Sequence, residues 1–253
     1  MPYANNNGVK IYYEVEGKGL PLLMHHGSGT LLESWRDLGY VKALENDYCL
    51  VLMDARGHGK SDKPHNPEAY TMEQRVGDVV AVLDHTGVDR THFFGYSYGG
   101  RVGFELAKLA SQRVRSMIIG GFGARTWKSD AKMIQFWESG PKALEGLVAA
   151  IIQLGPISPG LKAGLLANDP QAILALFRFP WPDLEGDLSR MIIPFLIFAG
   201  EADDLYPDAQ AAAKHLPDVT FVSFPGLDHL QAAFRSDLVL PHVKEFLAQV
   251  SKK

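Results

Sequence analysis

Short runs of apolar and β-branched residues recur along the chain at 9–15, 20–25, 49–53, 92–95, 116–120, 194–199 and 220–224, and each is predicted to be a strand. Several are nearly continuous apolar runs, the pattern of strands covered by helices on both faces. Between them the hydrophobic period lengthens to that of a helix. Over 72–86, Met72, Val76, Val79, Val80 and Leu83 share one stripe, and beyond Ser97 the residues Val102, Leu106, Leu109 and Ala110 share another. A last stripe, Val239, Val243, Phe246, Leu247 and Val250, follows Ser236-Asp237, which is expected to cap it. Strands alternating with helices in this way predict an α/β fold with a mainly parallel sheet.

Residues 124–190 break the alternation. Helix-period pieces there are punctuated by Gly140-Pro141, Gly155-Pro156, Ser158-Pro159-Gly160, Asp169-Pro170 and Phe179-Pro180-Trp181-Pro182, with no strand pattern. The expectation is a helical cap, 124–190, inserted into a core made of 1–123 and 191–253. Its aromatic residues have two readings, as the cap's own core or as pocket wall. Trp127, Phe136 and Trp137 are expected to bind substrate.

The predicted strand 92–95 runs straight into Gly95-Tyr96-Ser97-Tyr98-Gly99 and then into a helical stripe. The bare G-x-S-x-G spacing is weak evidence, but a strand before it and a helix after it force a sharp turn that strains the apex residue and lifts its hydroxyl clear of the sheet. Ser97 is therefore the candidate nucleophile. A serine needs a base within hydrogen-bond reach and an acid to orient that base. In a parallel sheet the loops after the strands share one edge, so acids and histidines just beyond the later strands are the candidates. Strand 194–199 ends in Gly200-Glu201-Ala202-Asp203-Asp204, and strand 220–224 ends in Pro225-Gly226-Leu227-Asp228-His229. His229 is the candidate base, and Asp203 or Asp204 the acid. The remaining histidines are expected to be surface or packing residues.

With His26-Gly27 after an early strand, Asp54-Ala55-Arg56-Gly57-His58-Gly59-Lys60-Ser61 after the next, the Ser97 turn, Gly200 to Asp203 and Pro225 to His229, the chain resembles the α/β-hydrolase superfamily over essentially its whole length. The resemblance implies an eight-stranded, mostly parallel sheet flanked by helices and a Ser97–Asp203–His229 triad. It also implies an oxyanion hole from the backbone N–H groups of Ser28 and Tyr98. The family's acid lies three residues beyond the glycine, which selects Asp203 over Asp204. The implied activity is that of a serine hydrolase, carboxylesterase-like and cofactor-free, acting on a small-molecule ester. Carbon–carbon bond hydrolases of ring-fission products, enol-lactone hydrolases and perhydrolases share the scaffold. A ligand-binding receptor on the same fold is the alternative of another class.

Charge and cysteine content narrow the partners. The net charge is −4 over 253 residues and the basic residues are scattered, which argues against nucleic acid and against an anionic membrane surface. The single cysteine, Cys49, excludes an internal disulfide, offers no metal cluster and is expected to be a buried core thiol. Residues 1–7 have neither a basic flank nor an apolar stretch, so no secretory leader is expected and a cytoplasmic monomer or homodimer is. Gly57-His58-Gly59-Lys60-Ser61 resembles the end of a phosphate loop, but Asp54 stands where that motif needs a glycine, so the glycines are read as turn formers.

Overall fold

The computed structural model describes residues 2–126 and 128–251. The strands are β1 (Tyr3–Asn6), β2 (Val9–Gly17), β3 (Leu20–His25), β4 (Tyr48–Met53), β5 (Thr91–Tyr96), β6 (Val114–Gly120), β7 (Phe195–Gly200) and β8 (Val219–Phe224). They form one eight-stranded sheet in the order β1-β2-β4-β3-β5-β6-β7-β8. Pairings β1–β2 and β2–β4 are antiparallel and all the others are parallel. Strand β1, absent from the sequence reading, is joined to β2 through Asn7 and Gly8, both at positive φ, as a tight two-residue hairpin demands.

Side chains alternate between two cores. Leu23, Val51, Phe93, Ile119 and Ile197 face a cluster completed by α3 (Met72–His85) and α4 (Tyr98–Leu109). Leu22, Leu52, Phe94, Ile118 and Phe198 face the other, completed by α1 (Glu33–Asp37), α2 (Tyr40–Leu44) and the C-terminal helix at Ser236–Val250. The central strands are therefore buried on both sides, which is why they read as unbroken apolar runs. Cys49 departs from expectation: near the start of β4, opposite Gly17 and Pro21, it is only partly buried.

Between β6 and β7 the chain makes an excursion of four helices, α5 (Ala131–Glu138), α6 (Pro141–Leu154), α7 (Pro159–Leu166) and α8 (Pro170–Arg178). Each starts at a turn residue of the sequence: Asp130, Ser158 and Asp169 accept backbone N–H bonds as N-caps, and Pro141, Pro159 and Pro170 open their helices. Trp137, Leu144, Ile173 and Phe177 pack with one another, while Leu31 of the β3–α1 loop joins Val148, Ile151 and Leu161. After β7 come α9 (Tyr206–His215), α10 (His229–Phe234) and α11 (Ser236–Val250). The expected Ser236-Asp237 cap does not form. Because α10 ends at Phe234, the single linking residue Arg235 takes the N-cap place without a side-chain bond, and its guanidinium pairs with Asp237 instead. Among the described residues no helix is long and apolar enough to cross a membrane.

Candidate active site

The six mutually parallel strands, β3 to β8, deliver their following loops to one edge, where the strand order turns back at β3 and β5. Ser97 sits between β5 and α4 with φ 54° and ψ −115°, a conformation that costs a non-glycine residue about 1–3 kcal/mol. Its neighbours explain how the turn closes. A Cβ on Gly95 would stand 2.2 Å from the Gly99 carbonyl oxygen, and one on Gly99 would stand 2.1 Å from that of His25. The turn is so tight that both flanking positions admit only hydrogen.

Three strand ends converge. His229 opens α10 with its Nε2 2.8 Å from Ser97 Oγ and its Nδ1 2.6 Å from Asp203 Oδ2. A carboxylate accepts only, so Nδ1 carries the proton and Nε2 presents its lone pair to the hydroxyl. The other Asp203 oxygen accepts the Leu205 N–H at 2.9 Å, and the side chain is almost fully buried. Asp228 is committed elsewhere: it N-caps α10 in a capping box with Gln231. Tyr96 donates its hydroxyl to the His229 carbonyl, which holds the first turn of that helix.

Opposite the serine lies the β3–α1 loop. A Cβ on Gly27 would be 3.3 Å from Ser97 Cβ, so this loop passes directly over the hydroxyl-bearing residue. The Gly27 carbonyl accepts from Thr30 Oγ1 at 2.8 Å, from the Thr30 N–H at 3.2 Å and from His26 Nδ1 at 2.7 Å. His26 Nε2 accepts the Ala55 N–H, which assigns the proton to Nδ1 and makes it a donor. With its carbonyl held by three donors, the Gly27–Ser28 peptide has its Ser28 N–H directed the opposite way. Tyr98, first residue of α4, has an N–H with no intrahelical acceptor. Both residues line the cavity described below.

Sequence reasoning set His26 and His58 aside as surface or packing residues. Both are buried beneath this loop and serve it with hydrogen bonds. His58 Nε2 accepts the Gly29 N–H at 2.9 Å and its Nδ1 donates to the Arg56 carbonyl. Burial pushes His26 down to about 4 and drives His58 well below the ordinary range, so both are neutral hooks at neutral pH. The only advance signal was position, one beside the glycine after β3 and the other inside the glycine-flanked loop after β4. In that second loop Asp54 accepts the Leu32 and Lys60 N–H bonds, and Gly57 and Gly59 take positive φ. The glycines there are turn formers, as read.

A cavity of about 640 Å³ opens onto Ser97 and His229. Phe136 and Trp137 lie on its wall, Trp137 buried and stacked on Phe177, Phe136 more exposed. Trp127 falls outside the described residues. Among the described lining residues the charges are Lys128 against Asp130, Asp204 and Asp228, apart from the buried Asp203, and the rest of the wall is mostly apolar and aromatic.

Comparison with known proteins agrees with this architecture. A 119-residue segment is 38% identical to a protein named "Putative carbamate hydrolase RutD" from Azorhizobium caulinodans, covering 47% of the chain and 43% of that relative, so the chain matches less than half of its length. A non-heme haloperoxidase from Rhodococcus erythropolis is 24% identical over 98% of the chain and 99% of its own. Among solved structures, the esterase RhEst1 from Rhodococcus sp. superposes with a TM-score of 0.84 at 25% identity, covering 98% of each chain. The family model of the alpha/beta hydrolase fold matches residues 21–155, more than half the sequence, and the chain belongs to that family.

Proposed function

We propose that this hydrolase is a serine esterase that cleaves a small, uncharged carboxylic ester through an acyl-enzyme. The observation that carries the reading is the unbroken line from Asp203 Oδ2 through the His229 ring to Ser97 Oγ, with contacts of 2.6 and 2.8 Å. Ser97 Oγ adds to the ester carbonyl carbon while His229 Nε2 takes the hydroxyl proton. The carbonyl π electrons move onto oxygen, where the Ser28 and Tyr98 N–H groups stabilise them; one such donor is typically worth about 3–4 kcal/mol. Collapse of the intermediate expels the alkoxide, which takes the proton from His229. A water repeats the sequence on the acyl-enzyme, releasing the acid and free Ser97.

The lining supports a neutral, apolar substrate. Three carboxylates against one lysine at the described wall repel an anionic acyl chain, and the aromatic surface favours an acyl or aryl group. The four helices between β6 and β7 then act as the cap that selects it.

The test is sustained turnover on a panel of esters, lactones and ring-fission products, with hydrogen peroxide as a competing acyl acceptor. Ser97→Ala is expected to lower kcat by about 10⁶. Turnover that survives this substitution, or a single product per chain followed by silence, would rule the reading out. The second of these outcomes is the signature of a receptor.

A further inference from the structure

Asn168 is a buried polar residue on the turn between α7 and α8, and the chemistry above leaves it unused. Its amide reaches out of the excursion and clasps two core loops at once. Nδ2 donates to the Gly29 carbonyl at 2.9 Å, and Oδ1 accepts the Gly59 N–H at 2.8 Å. Both ends of the amide are used in the sense their chemistry allows, which fixes its orientation.

Gly29 is thereby held on every side. Its N–H is taken by His58, its carbonyl by Asn168, and its α-carbon is faced by the excursion's own side chains. A Cβ at Gly29 would fall 2.6 Å from Leu147 Cδ2 and 3.0 Å from Trp137 Cη2, and its φ of 77° belongs to glycine. Gly29 directly follows Ser28, whose N–H is the stabilising donor of the proposed reaction. A displacement of Gly29 would be passed to Ser28 next to it and would shift that donor from the place where the oxyanion forms. Resting on the serine-hydrolase reading, we propose that Asn168 is a positioning residue that keeps the Ser28 N–H aimed at the oxyanion, so that the excursion contributes to transition-state stabilisation as well as to substrate choice.

The experiment uses the full chain and a nitrophenyl ester that the wild type turns over. Asn168→Asp keeps the shape and the acceptor for Gly59 while replacing the donor to Gly29 with a second acceptor. Its kcat is expected to fall by about 10–100-fold, because small displacements in a preorganised site cost that much, with KM within about twofold. Affinity for a trifluoromethyl ketone, whose carbonyl is attacked by Ser97 Oγ to give a hemiketal oxyanion, should fall by the same factor. Affinity for a planar competitive inhibitor should not change. His65→Ala removes the adjacent link between the same turn and the core, His65 Nε2 to Asp169 Oδ2 at 2.7 Å, and should leave kcat unaltered. If the Asp variant does not fold, Asn168→Ala reads the same ratios. A kcat within about twofold of wild type, or a loss of rate carried by KM with ketone affinity intact, overturns the role of Asn168. Turnover retained by Ser97→Ala overturns the serine reading and this inference with it. Loss in Ser97→Ala beside a normal Asn168→Asp overturns this inference alone.

Discussion

Asp203 touches the His229 ring with one carboxylate oxygen and the Leu205 amide with the other, while Asp204, next in sequence, is exposed at the cavity mouth. Position, and not residue type, separates the two acids. Asp203→Asn would place an amide beside Nδ1 and favour the wrong imidazole tautomer. By analogy with the same change in a well-studied triad, kcat should fall by about 10⁴ with the fold intact. Asp204→Asn should leave kcat nearly unchanged. Comparable losses in the two variants would refute the assignment.

Acid should weaken the fold through the histidines beneath the Gly27–Gly29 loop. Burial holds His26 at about 4 and His25 at about 3 against an ordinary value of 6.5, and His58 lower than ordinary too. A depressed histidine keeps the folded chain from binding a proton that the unfolded chain takes up. The stabilisation is therefore complete above pH 6.5 and is lost as pH falls toward 4. His26 alone accounts for up to about 3 kcal/mol over that window. The Asp54 carboxyl, pushed up by burial, acts with the opposite sign and reduces the net slope. Urea midpoints at pH 7.5 and pH 5 decide the matter, and equal midpoints would contradict it.

Glu105 lies fully buried between two guanidiniums, Arg75 and Arg101. Glu105→Gln leaves both cations facing a neutral amide and should cost about 3–5 kcal/mol. In a chain of this size that lowers Tm by roughly 10 °C. Calorimetry on the variant reads it directly; a Tm within a degree or two of wild type would mean that the arginines find other partners.

Trp137 closes the cavity beneath Gly29 and stacks on Phe177 at 5.7 Å between ring centres. Trp137→Ala should reduce kcat/KM for short aryl esters by about tenfold, equivalent to roughly 1.4 kcal/mol of lost contact, and move the optimum toward longer acyl chains. A chain-length series that keeps its maximum would show that the ring serves only to seat the helices.

The three side chains of the proposed triad were legible because each follows a strand whose pattern is local. Ser97 stands between an apolar run and a helical stripe, and Asp203 and His229 stand just past runs of the same kind, so one sheet edge had to collect all three. The four-residue β1 was missed because Tyr3-Ala4-Asn5-Asn6 lacks the apolar alternation of a strand, although Asn7-Gly8 carries a hairpin signal. Arg235, and not Ser236, became an N-cap because a helix ends one residue earlier, which no propensity at Ser236 reveals. His58 and Asn168 were illegible for a deeper reason. They are 110 positions apart by subtraction of their numbers, yet they grip the same residue, Gly29, from its two faces. Only the assembled fold creates that relationship.

The guanidinium of Arg101 accounts for one more property of the molecule. From the helix that begins beside Ser97 it donates to the carbonyls of Ala124 and Arg125, where the excursion departs, and to that of Pro182, near where it returns. Departure and return are thus stapled to a single side chain, and whatever polypeptide runs between them arrives at the same doorway over the sheet. A foreign helical insert of different length would therefore enter over the same sheet edge, and to keep the loop beneath it in place it would have to supply its own amide where Asn168 now grips Gly29 and Gly59.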